Sequence, residues 1–143
     1  MKKTSVPLVI AFTPDYFIPA ATCLYSIITS MQAEGELHVI CLLSEELPER
    51  LKLKIQLIGE GRTCYSFVNL QGKLQHIYID QKYTEAASYR LLLPDLLPEY
   101  KKVIYIDCDI IVRNDLVQLY HSIDLGMNYL AAVFEASMDF QLD

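Results

Sequence analysis

The feature that most constrains the fold of this 143-residue chain is the alternation of short apolar runs with longer stretches of helical periodicity. Val6 to Phe12 is a β-branched, apolar run ended by a Thr-Pro-Asp turn, which is typical of a buried strand. From Phe17 to Met31, apolar residues recur at three- and four-residue spacing, and Pro19 falls in the first turn, where proline is tolerated. These segments predict a strand followed by a helix.

The alternation continues along the chain. Leu37 to Leu43 predicts a second buried strand, and Ser44 with the two glutamates after it predicts the N-cap of a helix. That helix is expected to run through Ile58 and to end at Gly59 and Gly61. Four further segments are predicted. Three are extended: Cys64 to Leu70, His76 to Ile79 and Lys102 to Asp107. Ala86 to Leu93, before the last of these, is predicted to be helical. Tyr129 to Phe134 is predicted to be a last strand.

Strands that alternate with helices in units of about thirty residues favour βαβ crossovers. The fold class is therefore expected to be α/β and Rossmann-like, with a mainly parallel sheet and helices on both faces. No internal repeat or linker divides the chain, so residues 1–143 are expected to form one domain. Ligands of such sheets bind beyond the carboxyl ends of the strands, so Thr13 to Tyr16 and Asp107 to Asp109 should face one crevice.

Composition and charge exclude several classes of protein. Twelve Lys and Arg against 18 Asp and Glu give a net charge of -6, so no nucleic-acid partner is expected. No apolar stretch of the ~18 to 20 residues needed to span a membrane is free of proline and charge. Lys2 and Lys3 imitate the start of a signal peptide, but Pro7 and Asp15 interrupt the apolar run that follows. Four cysteines without a CxxC pair favour a cytoplasmic location.

The strongest candidate for chemistry is Asp107-Cys108-Asp109, at the end of the apolar run that begins at Val103. Residues two apart in an extended strand share a face, so the two carboxylates are expected to lie together. Mg²⁺ or Mn²⁺ would relieve their repulsion, because hard divalent cations prefer oxygen ligands. The alternative is a pair of strand-end residues that cap a turn. Apolar triplets on both sides favour the metal, because unpaired carboxylates are costly to desolvate.

Arg90 is the second candidate, on an otherwise apolar helical segment. Its guanidinium suits bidentate contact with a diphosphate. The alternatives are an exposed arginine whose stem covers apolar surface, or a partner of Asp95 or Asp80.

The turn after the first predicted strand is the third candidate, because a nucleoside would meet the sheet there. It contains Thr13, Asp15 and Tyr16, and the alternative is that Asp15 only caps the following helix. The histidines have no metal-ligand spacing to one another and are expected to be structural: His38, His76 and His121.

With these residues, the chain resembles the N-terminal half of glycosyltransferase family 8, which includes glycogenin and bacterial galactosyl- and glucosyltransferases of lipopolysaccharide synthesis. Four ordered blocks carry the resemblance: Ile10 to Tyr16 with Ser26; Tyr89 to Pro98; Lys102 to Val112 with Asp115, Leu116 and Leu119; and Asp124 to Val133. Four blocks in order are far more specific than one pair of aspartates.

The resemblance implies a GT-A nucleotide-diphospho-sugar transferase fold whose C-terminal part is missing, so residues 1–143 would be the N-terminal half of a longer domain. It also implies a metal-dependent, retaining enzyme that transfers glucose or galactose from a UDP-sugar donor to a saccharide or lipopolysaccharide-type glycolipid acceptor. Mn²⁺ or Mg²⁺ would be the cofactor. Peripheral membrane association would be expected only through the missing part.

Residue by residue, the resemblance implies that Asp107 and Asp109 bind the cation on the diphosphate, with Asp107 also near the ribose, and that Arg90 holds phosphate. It assigns to the uridine pocket Ala11, Thr13, Asp15 and Tyr16, with backbone contact from Cys108. Glu135 falls where some relatives carry an acidic residue near the transferred sugar or acceptor, and the catalytic nucleophile is not identified.

Two departures from the family bear on function. Relatives often carry an acidic residue where Thr13 stands, and their third metal ligand is a histidine from a later half. One alternative is therefore a truncated module that binds nucleotide sugar without transferring it. Another is a haloacid-dehalogenase-like phosphatase, but that family has Gly-Thr after its aspartate pair, where this chain has Ile110-Ile111.

Overall fold

The computed structural model describes residues 5–32, 34–75 and 85–133 of the chain. In chain order its elements are β1 (Val6–Phe12), a 3-10 turn (Pro14–Tyr16), α1 (Phe17–Ser30), β2 (Leu37–Leu43), α2 (Glu49–Gln56), β3 (Thr63–Asn69), α3 (Glu85–Ser88), a second 3-10 turn (Tyr89–Leu92), α4 (Leu93–Leu96), β4 (Ile104–Ile106) and α5 (Leu116–Ser122).

The four strands form one sheet in the order β3-β2-β1-β4, and all neighbouring strands are parallel. β1 and β2 pair along their whole length, from Val6 opposite Leu37 to Phe12 opposite Leu43. β4 lies on the other side of β1 and pairs only with Leu8–Ile10. The predicted parallel α/β sheet is confirmed. β2 and β3 are added on one side of β1, and β4 is added on the other side.

Helices cover both faces of the sheet. Alternate residues of β1 point to opposite faces and therefore pack against different helices. Leu8, Ile10 and Phe12 join a buried cluster with residues of α1, α2 and α5. Val9 and Ala11 join a second cluster with residues of the segment that runs from α3 to α4. Burial on both faces explains why β1 is apolar at every position instead of alternating.

The prediction that Ser44 caps α2 is wrong. The helix begins at Glu49, and Pro48 is its N-cap, without a side-chain capping hydrogen bond. Pro48 disfavours helical backbone at the residue before it, and that residue, Leu47, is buried in the first cluster. The helix ends at Gln56, and the turn that follows contains Gly59 at positive φ, as its glycine predicts.

The strand predicted over Tyr129 to Phe134 is also wrong for residues 129–133, which lie in no strand. Tyr129 and Leu130 are exposed, and residues 129–133 pair with no strand among the described residues. An apolar run alone therefore does not make a strand here. Phe134 and the extended candidate His76 to Ile79 lie outside the described residues. Within the described ranges, no helix is long and apolar enough to cross a bilayer.

Candidate functional site

The candidate site lies at the carboxyl ends of β1 and β4. Ile10 of β1 pairs with Ile106 of β4, so the turn that begins at Thr13 and the turn that begins at Asp107 leave neighbouring strands at the same edge. β2 and β3 lie on one side of β1 and β4 on the other, and a crevice is expected where strand order switches in this way. Residues separated by most of the chain thus come to one edge of the sheet.

The two aspartates do not share a strand face, so that part of the prediction is wrong. β4 ends at Ile106, Asp107 follows it directly, and Cys108 and Asp109 form a turn. Both carboxylates are exposed, and Ile110 and Ile111 after them are exposed as well. The apolar neighbours therefore do not desolvate the pair, and the two carboxylates can be solvated by water without a metal ion.

The donor set fits a hard divalent cation. Asp107 and Asp109 offer carboxylate oxygens at a turn open to solvent, and Mg²⁺ is commonly held by one or two carboxylates, substrate phosphates and waters. Among the described residues, no group of three His, Cys, Asp or Glu side chains could hold a metal ion. The two aspartates could therefore supply only part of a coordination shell.

Arg90 lies against Asp107, with Nη2 3.1 Å from Oδ1. Its Nε donates a hydrogen bond of 2.8 Å to the carbonyl oxygen of Ala87, and its guanidinium carbon is 4.7 Å from the centroid of the Tyr105 ring. Asp107 is thus the carboxylate that Arg90 contacts in the described structure, in place of Asp95. The other partner considered from sequence, Asp80, lies outside the described residues.

Helix α1 fixes the segment that follows the aspartates. The Ser26 hydroxyl donates to the carbonyl oxygen of Cys23 at 2.7 Å and accepts from the N–H of Val112 at 2.9 Å. The Ser30 hydroxyl donates to the carbonyl oxygen of Val112 at 3.0 Å, and the Cys23 thiol lies 3.8 Å from the carbonyl oxygen of Asp107. The sequence analysis gave Ser26 no role, although a serine among the apolar positions of a helix is a usable signal.

Asp115 is a second residue whose role sequence reasoning missed. Its side chain is 8% exposed, and Oδ1 accepts hydrogen bonds from the N–H groups of Val117 (2.8 Å) and Gln118 (3.2 Å) at the start of α5. Oδ2 accepts from the N–H of Gln32, just beyond α1, at 2.7 Å. An aspartate before a helical run is a known N-cap signal and would have identified the first of these roles.

The turn after β1 is closed by a hydrogen bond of 2.9 Å from the N–H of Tyr16 to the carbonyl oxygen of Thr13. Neither the 3-10 turn nor α1 has a side-chain cap, so the alternative that Asp15 caps the helix is wrong. Asp15 and Tyr16 are exposed beside the sheet edge. Ala11 is only 7% exposed within β1, so little of this residue is open to a ligand.

Cys108 lies between the two aspartates, in the turn after β4. Burial raises the pKa of the Cys108 thiol above its ordinary value of 9.0, and the carboxylates of Asp109 and Asp107 raise it further. The backbone contact expected of Cys108 stays a prediction.

His38 is structural, as predicted. Its Nδ1 contacts the hydroxyl of Tyr100 and its Nε2 lies 2.7 Å from the hydroxyl of Ser66, near the amino ends of the strands. His121 is exposed on α5, edge-on to the ring of Tyr120. The remaining sequence candidates, His76 and Glu135, lie outside the described residues.

Comparison with known sequences identifies relatives over almost the whole chain. The model of the family described as glycosyl transferase family 8 matches residues 7–142. General stress protein A of Bacillus subtilis is 25% identical over 146 residues, which cover 99% of this chain and 51% of that protein. Glycosyltransferase GlyE of Streptococcus pneumoniae is 32% identical over 103 residues, which cover 65% of this chain and 23% of that protein. The chain thus spans about half, or less, of these curated relatives.

Comparison with solved structures supports the same fold. The galactosyltransferase LgtC, crystallised with donor and acceptor sugar analogues, matches 96% of this chain and 49% of its own chain with a TM-score of 0.76 at 22% identity. The GT-A type α/β fold is therefore confirmed. The family match over residues 7–142 leaves the phosphatase alternative without support.

Proposed function

Because this chain belongs to glycosyltransferase family 8, we propose that it is the nucleotide-sugar-binding part of a metal-dependent, retaining hexosyltransferase that uses UDP-glucose or UDP-galactose. One observation carries the proposal: Arg90 and Asp107 are in contact at the carboxyl end of β4, beside the strand end that leads to the Thr13 turn. A guanidinium and a carboxylate in contact at the switch point of a parallel sheet suit a ligand that carries a diphosphate together with a divalent metal ion.

Asp107 and Asp109 would hold the Mn²⁺ or Mg²⁺, which when bound withdraws negative charge from the leaving diphosphate. Arg90 would donate hydrogen bonds to phosphate oxygens, since its guanidinium already lies at this edge of the sheet. Its pair with Asp107 is half exposed (46% and 59%), so exchanging one partner for a phosphate sacrifices little stability.

The uridine would lie beside the turn after β1. Tyr16 is 45% exposed there and offers a ring face for stacking, while Thr13 and Asp15 offer polar groups. Ala11 and Cys108 would contribute backbone contacts. The likeness to LgtC, whose solved structure contains donor and acceptor sugar analogues, supports this arrangement at the level of the fold.

The acceptor side of the reaction belongs to the whole protein. We propose a saccharide or a lipopolysaccharide-type glycolipid as acceptor and a cytoplasmic location. A histidine from a stretch outside residues 1–143 would be the third metal ligand, and Glu135 would lie near the transferred sugar or the acceptor. The curated relatives, which are about twice this length or more, have room for such a stretch.

Calorimetric titration with UDP, with and without Mn²⁺, tests the proposed site. We expect UDP binding to depend on Mn²⁺ and to weaken at least about tenfold in Asp109→Ala, because one of two carboxylate ligands is lost. Asp124→Ala is the matched control, since Asp124 is also exposed but lies beyond the end of α5. Binding that is independent of Mn²⁺, or equal in the two variants, would show that the metal site is wrong.

A second candidate function is binding without transfer, which the length of the chain relative to its relatives favours. Incubation of the purified chain with labelled UDP-glucose or UDP-galactose separates the two functions. Release of UDP above the rate of the Asp107→Asn variant excludes a passive binder. Binding without release assigns transfer to the longer protein.

A further inference from the structure

Tyr105 brings an aromatic ring from the sheet to the Arg90 side of the crevice. It is the middle residue of β4 and pairs with Val9 of β1. Its neighbours in the strand, Ile104 and Ile106, pack against the first cluster, whereas Tyr105 packs against the second. The ring therefore lies on the same face of the sheet as the helical segment that carries Arg90.

Arg90 makes three contacts of different kinds with the residues that the structure describes. Its Nε is bonded to the carbonyl oxygen of Ala87 within its own segment, and its guanidinium carbon lies 4.7 Å from the centroid of the Tyr105 ring. Only the third contact, from Nη2 to Asp107, uses a group that the proposed cation would also need. When Asp107 binds a cation, the first two contacts are the ones that remain to hold the guanidinium.

We propose that Tyr105 is a positioning residue whose ring face holds the Arg90 guanidinium at the carboxyl end of β4, so that Arg90 stays in place for a phosphate group while Asp107 binds the cation. The inference rests on the proposed function, since it assigns a support to the phosphate-binding arginine of that site.

The physical basis is the attraction between a guanidinium and an aromatic face. A cation within about 6 Å of a ring centroid is attracted by the negative face of the ring. Stacking on a ring leaves the N–H groups at the edge of the planar guanidinium available to carboxylate or phosphate oxygens. A flexible arginine so restrained loses less conformational freedom when it binds a ligand.

The contact can be measured in the ligand-free protein by NMR. The side-chain Nε–H signal of Arg90, assigned by its loss in Arg90→Lys, is expected to carry a ring-current shift in the wild type. Tyr105→Leu should abolish this shift and speed the hydrogen exchange of the Nε–H group, whereas Tyr105→Phe, which keeps the ring, should retain both. An Arg90 signal that is the same in Tyr105→Leu and in the wild type overturns the inference.

The effect on the ligand is measured by UDP titration in the presence of Mn²⁺. Tyr105→Leu should weaken UDP about three- to tenfold, the worth of one cation–π contact, while Tyr105→Phe stays close to the wild type. Tyr65→Leu is the matched control, because Tyr65 is a half-buried strand tyrosine whose ring packs on Phe67 in β3. Equal weakening in Tyr65→Leu would assign the effect to lost packing and overturn the inference.

Two further measurements keep the test decisive. If Tyr105→Leu fails to fold, the ring signals of Tyr105 are compared between the wild type and Arg90→Lys, and signals that do not move overturn the inference. If wild-type chain binds no UDP with Mn²⁺, the proposed function is wrong, but the Arg90 signal in Tyr105→Leu still decides whether the ring positions the guanidinium.

Discussion

At the scale of the residue, His38 links the fold to pH. Its two ring nitrogens contact the hydroxyls of Tyr100 and Ser66, and burial lowers the pKa of the imidazole below its ordinary value of 6.5, partly opposed by Glu99. As pH falls below 6.5, the unfolded chain therefore binds a proton at His38 more readily than the folded chain does. The contribution of neutral His38 to stability is present above this pH and is lost below it.

We expect the free energy of unfolding to fall between about pH 7.5 and about pH 5.5, and to fall less in His38→Gln. Urea unfolding at the two pH values measures the difference. His121→Gln is the control, because His121 is exposed on α5 and should leave the pH dependence as in the wild type. A His38→Gln variant with the pH dependence of the wild type would contradict the prediction.

The sequence singles out the candidate site residues, whereas their arrangement in space depends on long-range strand pairing. Asp107 and Arg90 stand out in the sequence because they are charged residues beside apolar runs. Their contact across the crevice is a long-range consequence of β4 pairing with β1, and no local pattern encodes it. The turn at Cys108 was missed for a related reason: the apolar residues after it continue the pattern of a strand, but the strand pairing stops at Ile106.

At the scale of the element, the Asp115 carboxylate joins the start of α5 to the end of α1. It accepts two hydrogen bonds from the first turn of α5 and one from Gln32. Asp115→Ala should lower the free energy of unfolding by about 1 to 2 kcal/mol, because an N-cap is lost and the N–H of Gln32 loses the partner of its partly buried hydrogen bond. Urea unfolding measures this change.

Asp124→Ala serves as the comparison for that variant. Its carboxylate is exposed and accepts one hydrogen bond of 2.9 Å, from the N–H of Gly126. We expect a loss below about 1 kcal/mol, as for most exposed substitutions outside a cap or core. Equal losses in the two variants would mean that Asp115 does not join the two helices.

The bounds of β1 and β2 follow from the sequence, whereas the start of α2 does not. β1 and β2 have the predicted bounds, because a continuous apolar run between turn residues has few other structures open to it. The start of α2 was misplaced because Ser44 and its glutamates match the pattern of a cap, while the residue that decides is Pro48, at the N-cap position. The capping pattern at Ser44 and the proline at position 48 predict different starts for α2, and burial of Leu47 favours the later one.

At the scale of the whole molecule, stability is expected to be greatest at the centre of the sheet. β1 is buried at all seven positions and has a strand on each side, and β2 lies between β1 and β3. β3 is only partly buried and pairs with β2 alone among the described strands. Central strands open chiefly through global unfolding, whereas edges open locally.

Amide hydrogen exchange tests this gradient. We expect the amides of β1 and β2 to exchange at least about tenfold more slowly than those of β3 and α5. Measurement by NMR within one sample compares all elements under the same conditions. Exchange in β3 as slow as in β1 would contradict the expected gradient.

Strand order is the property of the whole molecule that the sequence alone could not supply. The alternation of strands and helices predicts parallel pairing, but not which strands are neighbours. The resemblance to a family implies the GT-A fold as a whole, and the likeness to LgtC supports that fold. The position of β4 beside β1 brings the Thr13 turn and Asp107 to one edge.

The unequal length of the two pairings of β1 has a consequence for how a base would be recognised. Pairing with β2 continues to Phe12, but pairing with β4 stops at Ile10, so the sheet has a step at its carboxyl edge. Along this step, Ala11 and Phe12 have no described strand beside them on the β4 side. Ala11 and Phe12 are almost fully buried (7% and 1% exposed), so a base at this edge would meet the chain at Thr13, the first partly exposed residue beyond the step, where a threonine offers a hydroxyl in place of a carboxylate.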